Sequence, residues 1–231
     1  HGATSMGVHD WGAQRPLLRT DFRLYMPDAR AHHRTVFDVR EGWSRALLVD
    51  DALAFADALG LERFHVMALS MGARTAVELA ARHPARVLSM LVIGVGLRPE
   101  PAASVARARM DPDKILDENP VWAAELQQRH DPYQGEGAWR RLLEAIREDT
   151  QHVTEIMPEE LRRIAATVRE LYISRRHDAY ANCAAQEPSL LTIHGPTGRI
   201  GVQRLPNSVH SVGRTRPCST WAQRHPGGST F

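Results

Sequence analysis

A short apolar run that leads directly into a serine is the feature that most restricts how this chain can fold. Residues 63–69 are mostly apolar, as in a strand buried in a parallel sheet, and Ser70 follows them at once, with Gly72 two residues later. An alanine-rich segment at helical spacing, residues 73–83, comes next and stops before Pro84. The pattern predicts a strand, a tight turn at Ser70 and a helix.

The segments on either side extend this alternation. Residues 22–27 have the pattern of a short strand, and residues 43–59 carry apolar side chains at helical spacing up to Gly60. Residues 87–95 are the most apolar strand candidate in the chain. Strand, helix, strand, helix, strand is typical of an α/β fold, a mostly parallel sheet flanked by helices and joined by right-handed crossovers.

The second half of the chain changes character twice. Between residues 99 and 168 the spacing predicts four helices, which we interpret as a helical lid inserted after the strand that ends near Val95: residues 102–110, 120–130, 137–148 and 158–169. Residues 170–174 and 189–194 have strand character, and apolar residues are sparse from 195 onward. We therefore divide the chain into a core part, a lid and a C-terminal core remnant: residues 1–98, 99–168 and 169–231.

Composition argues against a nucleic-acid partner. The chain is 43% hydrophobic and 24% charged over 231 residues, as in a globular domain. Its net charge of +2 originates in the last quarter, because residues 1–178 hold 26 acidic and 24 basic side chains, whereas residues 179–231 hold one acidic and five basic ones. Those five arginines lack interleaved aromatic residues, so nucleic-acid binding is not expected.

Cysteine content and hydropathy bear on the compartment. Cys183 and Cys218 can form at most one disulfide, which favours a reduced, cytoplasmic setting. No stretch approaches the ~18 uninterrupted apolar residues that cross a bilayer, and no signal-peptide pattern is present, so no membrane association is expected. The chain begins at His1 rather than at methionine, which suggests a fragment or a processed start.

Several short motifs resemble those of the α/β-hydrolase superfamily. Ala68-Leu69-Ser70-Met71-Gly72 is similar to its nucleophile elbow, a strained turn that lifts the nucleophile out of the sheet. His1-Gly2 looks like the His-Gly after the third strand, Pro27-Asp28-Ala29-Arg30 like the Pro-Asp-x-Arg motif, and residues 81–87 like the exit from the nucleophile helix. The resemblance covers residues 1 to about 165 and implies that the strands before His1 are absent from this chain.

Three positions depart from the family pattern. Ala68 replaces the usual first glycine of the elbow, and alanine is small enough to be tolerated there. Ala31 and His33 stand where many members carry glycines, so we expect the loop after Pro-Asp-x-Arg to be stiffer or differently shaped.

The resemblance implies a catalytic triad with a backbone oxyanion hole. Ser70 would be the nucleophile, and the N–H groups of Met71 and Ala3 would hold the oxyanion. His210 would be the base, with His194 and His225 as alternatives, and Asp178 the acid, with Glu100 as the alternative. No metal site or cofactor is expected, because His32 and His33 have no spaced partners that would complete a site.

Two functions of different classes follow. The first is a serine hydrolase that acts on an ester or similar acyl bond of a small molecule, with lactone hydrolysis and carbon–carbon hydrolysis of diketones open within the same fold. The second is a catalytically defective hydrolase-like fragment or ligand-binding module, favoured by the absent N-terminal strands and the atypical tail. A homodimer is an open alternative to a monomer.

Overall fold

A five-stranded sheet forms the centre of the chain. The computed structural model describes residues 1–94 and 107–152, single positions between 157 and 164, and the backbone of three strands from residue 170 to 204. The strands are β1 (Phe64–Leu69), β2 (Val87–Ile93), β3 (Glu170–Arg175), β4 (Ser189–His194) and β5 (Ile200–Arg204), and they lie side by side in chain order. The strands predicted over residues 63–69, 87–95, 170–174 and 189–194 correspond to the first four.

The direction of the strands changes along the sheet. β1 pairs with β2 and β2 with β3 in parallel, whereas the β3–β4 and β4–β5 pairs are antiparallel. The segment between β4 and β5 has too few residues for the crossover that a parallel pair requires, so these strands form a hairpin. β5 was not predicted, because Ile200 and Val202 alone supply its apolar alternation.

Three helices precede β1, and a fourth lies between β1 and β2. They are α1 (Gly7–Trp11), α2 (Arg15–Leu18), α3 (Arg45–Ala58) and α4 (Met71–Arg82), with short 3₁₀ turns at Val39–Glu41 and Pro84–Arg86. α3 begins where the Ser44 hydroxyl accepts a hydrogen bond from the N–H of Leu47 at 3.3 Å. The two predicted helices, residues 43–59 and 73–83, are confirmed as α3 and α4.

The predicted strand over residues 22–27 is wrong. This segment forms no strand ladder, and Phe22 and Tyr25 stay partly exposed. Their rings pack edge-on against His65 and Phe55, with centroids 5.5 and 6.0 Å apart. A strand exists only through backbone pairing, and residues 22–27 form no ladder with β1, although the Phe22 ring contacts His65 of that strand. The alternating pattern therefore gives a segment that lies outside the sheet of the described residues.

The main core lies between α4 and the parallel strands. The inner face of α4 carries small apolar side chains at helical spacing, which allows the helix to pack closely on β1 and β2. The buried cluster consists of Val49, Ala68, Ala73, Ala76, Val77, Leu79, Ala80, Val87, Met90, Val92 and Ile164. Close packing of α4 fixes the position of the turn from which it starts.

Within the segment predicted as a lid, the described part of the chain holds three helices with complete bounds, which we call the cap. They are α5 (Pro112–Glu118), α6 (Pro120–Gln134) and α7 (Ala138–Asp149), followed by a 3₁₀ turn at Thr150–His152. The predicted segments at 120–130 and 137–148 correspond to α6 and α7. The predicted helices at 102–110 and 158–169 lie partly outside the described residues. α5 was missed, although Asp111 caps it by accepting from the N–H groups of Asp113 and Lys114, and Pro112 occupies its first position.

The cap packs against the N-terminal part of the chain. Trp139, Leu142 and Ile146 of α7 share a buried cluster with Ala3 and Ala31. The cap therefore shares a core with the segment that precedes α1.

None of the helices in the described part of the chain is long and apolar enough to span a membrane.

We expect Gly7→Ala to lower the free energy of unfolding by at least about 3 kcal/mol. A Cβ at this position would lie 2.7 Å from the carbonyl carbon of Met26 and 2.8 Å from the carbonyl oxygen of Pro27, and backbone atoms cannot rotate away. Gly60→Ala is the matched control. Gly60 has a φ of +66° but no atom within 4 Å of its built Cβ, so about 1 kcal/mol is expected there. Urea unfolding of both variants measures the difference, and equal losses would contradict the prediction.

Candidate active site

Ser70 occupies a strained turn between β1 and α4. Its φ of 53° and ψ of −110° lie in a region that residues with a Cβ rarely adopt. The turn is held because the N–H of Ser70 donates to the carbonyl of Ile93 at 2.8 Å, and the carbonyl of Ser70 accepts from the N–H of Arg74. The side chain of Ser70 is exposed, and its hydroxyl has no hydrogen-bond partner among the described residues. A strained, solvent-facing serine at a helix N-terminus is suited to nucleophilic attack.

The first residues of the chain pack directly against this turn. The N–H of Gly72 donates to the carbonyl of His1 at 3.1 Å. A Cβ on Gly72 would lie 2.8 Å from that carbonyl oxygen, so only glycine permits this approach. A Cβ built on Gly2 would lie 3.9 Å from the Cβ of Ser70. The structure therefore brings the predicted His1-Gly2 motif and the predicted nucleophile together.

The two predicted oxyanion donors are neighbours of residues at the turn: Met71 follows Ser70 in the chain, and Ala3 follows Gly2. Met71 is the first residue of α4, where a backbone N–H has no intrahelical acceptor and the helix dipole favours negative charge. Ala3 is buried next to Gly2, and its N–H has no acceptor among the described residues. A backbone N–H without an acceptor can hold a developing negative charge, so Met71 and Ala3 stay the predicted oxyanion donors.

The loop after the Pro-Asp-x-Arg motif adopts the conformation that glycine would favour, despite its larger residues. Ala31 and His33 have φ values of 61° and 43°, in the left-handed region. The His33 ring makes two contacts, a 3.0 Å hydrogen bond to Asp28 and a tilted ring contact with Tyr133, whose centroid lies 4.3 Å away. These nonglycine residues thus adopt left-handed backbone, and His33 adds a side-chain contact to the cap.

Two buried histidines meet where the 27–33 loop packs on the cap: His32 of the loop and His130 of α6, with ring centroids 5.5 Å apart. Burial lowers the pKa of His32 to about 4. The pKa of His130, on α6, is also lowered to about 4, first by burial and then by the positive charge of Arg129 and the neighbouring His33, against the opposing effect of Asp131 and Asp28. Both rings are therefore neutral near pH 7. The Nε2 of His130 is buried without a hydrogen-bond partner.

We expect the protein to lose stability between pH 6.5 and 5. His32 and His130 bind protons more weakly in the folded state than in the unfolded state, where the pKa is ~6.5. The unfolded state therefore takes up more protons as pH falls, and each histidine lowers the free energy of unfolding by about 2 kcal/mol at pH 5. Urea unfolding across this range tests the prediction. A shallower pH slope is expected in His32→Phe and in His130→Phe, and an unchanged slope in both would contradict it.

Of the candidate bases and acids, His194 alone lies within the described residues. Asp178, Glu100, His210 and His225 lie outside the described residues. His194 is the last residue of β4, and the register pairs it with Glu170, the first residue of β3. Ser70 follows the opposite, carboxyl end of the parallel strands, so His194 lies about 17 Å away along the sheet at 3.3 Å per residue. This placement argues against His194 as the base.

Two residues that the sequence did not single out also contact the site. Asp10 accepts from the N–H of Gly2 at 2.8 Å and from the hydroxyl of Ser5 at 2.5 Å. Arg129 of α6 donates to the carbonyl of Thr4. No local pattern identifies the Arg129 contact, because it joins segments 125 residues apart, whereas the Asp10 contacts span eight and five residues. Across the described ranges, no group of three or more histidine, cysteine or acidic residues could hold a metal ion.

Comparison with known proteins agrees with this geometry. A family model described as alpha/beta hydrolase fold matches residues 1–129. Over 91 residues the chain is 33% identical to RutD of Caulobacter sp. (strain K31), whose name provisionally assigns it carbamate hydrolysis; the match covers 39% of this chain and 34% of RutD. Over 82 residues it is 34% identical to 3-oxoadipate enol-lactonase 1 of Acinetobacter baylyi, covering 36% of this chain and 30% of that enzyme.

Solved structures extend the similarity in fold. NosK from Streptomyces actuosus superposes with a TM-score of 0.55 at 23% identity, covering 73% of this chain and 70% of NosK. The matches to the curated relatives are shorter, since the chain spans about a third of their length.

Proposed function

Since the chain belongs to the alpha/beta hydrolase fold family, we propose that it is a serine hydrolase that cleaves an ester or similar acyl bond of a small molecule through Ser70. The observation that carries the proposal is the turn at Ser70, whose strained backbone exposes the hydroxyl beside Gly2 and at the start of α4. A serine at the elbow favours attack on a carbonyl carbon over the opening of a halide or epoxide through an aspartyl ester.

The reaction follows from the charges that such an attack develops. The oxygen of Ser70 forms a bond to the carbonyl carbon, and the carbonyl electron pair moves to its oxygen, where the N–H groups of Met71 and Ala3 hold the negative charge. His210 takes the serine proton, and Asp178 orients the imidazole. When the oxyanion collapses back to a carbonyl, the bond from its carbon to the leaving oxygen breaks, and that oxygen takes the proton from His210 and departs as the alcohol. Water then attacks the acyl-enzyme by the same steps in reverse, releasing the acid and restoring Ser70.

The similar proteins support an acyl-type bond rather than one particular substrate. One relative is named for carbamate hydrolysis and another for an enol-lactone, and both bonds present a carbonyl carbon to a nucleophile. The low cysteine content is consistent with action in the reduced cytoplasm.

Labelling with a fluorophosphonate probe tests the proposal. We expect one covalent adduct, located at Ser70 by peptide mass spectrometry, because the probe phosphorylates serines that are activated by a neighbouring base. Circular dichroism shows whether the sample is folded. A folded protein that takes up no probe would overturn the hydrolase proposal and favour the ligand-binding alternative.

A further inference from the structure

Residues 1–5 lie against the Ser70 turn, and we call them the oxyanion loop because Ala3 belongs to them. The orientation of this loop determines whether the N–H of Ala3 faces a reacting carbonyl. An oxyanion donor is effective only when it is held in place before the charge develops. The contacts that fix residues 1–5 therefore bear on the rate of the chemical step.

The peptide between Gly2 and Ala3 is held through its carbonyl. The oxygen of Gly2 accepts from the N–H of Ser5 at 3.0 Å, and the Nδ1 of His1 lies 2.9 Å from it. The Nε2 of His1 accepts from the N–H of Ala29 at 2.8 Å, so Nδ1 carries the proton and donates. In a trans peptide the N–H points away from the carbonyl. Fixing the carbonyl of Gly2 thus fixes the direction of the Ala3 N–H.

The rest of the loop is held by side chains of two helices, α1 and α6. Asp10 of α1 accepts from the Gly2 N–H and the Ser5 hydroxyl. Arg129 of α6 donates from Nη1 to the carbonyl of Thr4, 125 residues away in sequence. Charged partners make hydrogen bonds stronger than neutral ones. Arg129 thus gives the cap a direct bond to the backbone beside Ala3.

Packing reinforces this bond. Leu126, which precedes Arg129 by one helical turn, is fully buried in the same cluster as Ala3 and Trp139. α6 is also anchored by Gln134, whose Nε2 donates to the carbonyls of His33 and Thr35 at 2.9 and 2.8 Å. The helix that carries Arg129 is therefore fixed at both the core and the 27–33 loop.

From these contacts we infer that Arg129 is a positioning residue through which the cap sets the oxyanion hole. The inference rests on the proposed serine hydrolase function. Arg129 acts on the Thr4 carbonyl and not on the substrate, so its loss weakens transition-state binding and leaves ground-state binding nearly intact. We therefore expect the loss of Arg129 to lower kcat and to leave KM almost unchanged.

Three variants test the inference at a temperature well below the unfolding midpoint. Arg129→Ala is expected to lower kcat for ester hydrolysis by about 10- to 100-fold with KM within about twofold. Arg129→Lys should recover much of the loss, since the contact with Thr4 uses a single nitrogen donor. Arg140→Ala removes the same charge from the cap but breaks an exposed pair with Asp113, and it should leave kcat unchanged.

A transition-state analogue separates positioning from general damage. A trifluoromethyl ketone forms a hemiketal oxyanion on the serine, so its Ki should rise in Arg129→Ala by the same factor as kcat/KM falls. A carboxylate product, which carries no tetrahedral oxyanion, should inhibit all forms equally. If wild type is active and Arg129→Ala and Arg140→Ala have equal kcat, this inference is overturned and the proposed function still stands. A wild type that neither turns over esters nor binds the fluorophosphonate would overturn the proposed function and this inference with it.

Discussion

Replacing Ser70 with alanine is expected to lower kcat for ester hydrolysis by roughly ten-thousandfold or more. In the proposed mechanism the Ser70 hydroxyl forms the covalent bond, and its removal leaves no nucleophile at the turn. The oxyanion donors belong to the backbone and remain, so KM should change little. Steady-state kinetics on a nitrophenyl ester measures both values.

The matched control is Ser89→Ala. Ser89 lies on β2 in the same sheet, and its hydroxyl is 2.7 Å from the Nδ1 of His65. Ser89→Ala removes the same oxygen atom as Ser70→Ala but leaves the Ser70 turn unchanged, so activity should stay within about twofold of wild type. More than a tenth of the wild-type kcat in Ser70→Ala, or an equal loss in Ser89→Ala, would show that Ser70 is not the nucleophile.

Replacing His210 with alanine is expected to produce the next largest loss, about a thousand- to ten-thousandfold in kcat. Without a base the serine must lose its proton to water, which is a far weaker acceptor near pH 7. Added imidazole should restore part of the activity, because it supplies the missing base in the vacated space. Asp178→Asn should lower kcat as well, by leaving the imidazole without its orienting carboxylate.

His194→Ala provides the comparison for His210. The register places His194 beside Glu170, at the edge of the sheet away from Ser70, so this variant should keep nearly full activity. His225→Ala completes the set. A large loss in His194→Ala, or full activity in His210→Ala, would contradict the assignment of the base.

Local signals in the sequence were sufficient for the turn at Ser70. An apolar strand pattern, a serine with glycine two residues later and an alanine-rich helix are adjacent in the chain, so the backbone geometry depends on neighbours within about ten residues. The same kind of signal was present for α5, where Asp111 and Pro112 form a helix start.

Pairing and long-range contact could not be predicted in this way. The alternation at residues 22–27 has the strand period, but whether it forms a strand depends on a partner elsewhere in the fold. Arg129 reaches the oxyanion loop through the packing of α6, and nothing in its sequence neighbourhood specifies a contact with Thr4. Site residues of this kind emerge only from the tertiary arrangement.

The glycine at position 72 has a consequence for engineering. It is required for clearance, since a Cβ there would lie 2.8 Å from the backbone oxygen of His1 and 2.9 Å from its nitrogen. Positions 1 and 72, far apart in the chain, therefore impose a single spatial constraint. A directed-evolution library that varies the backbone conformation of residues 1–5 should hold residue 72 fixed, and one that enlarges residue 72 should allow residues 1–5 to vary with it.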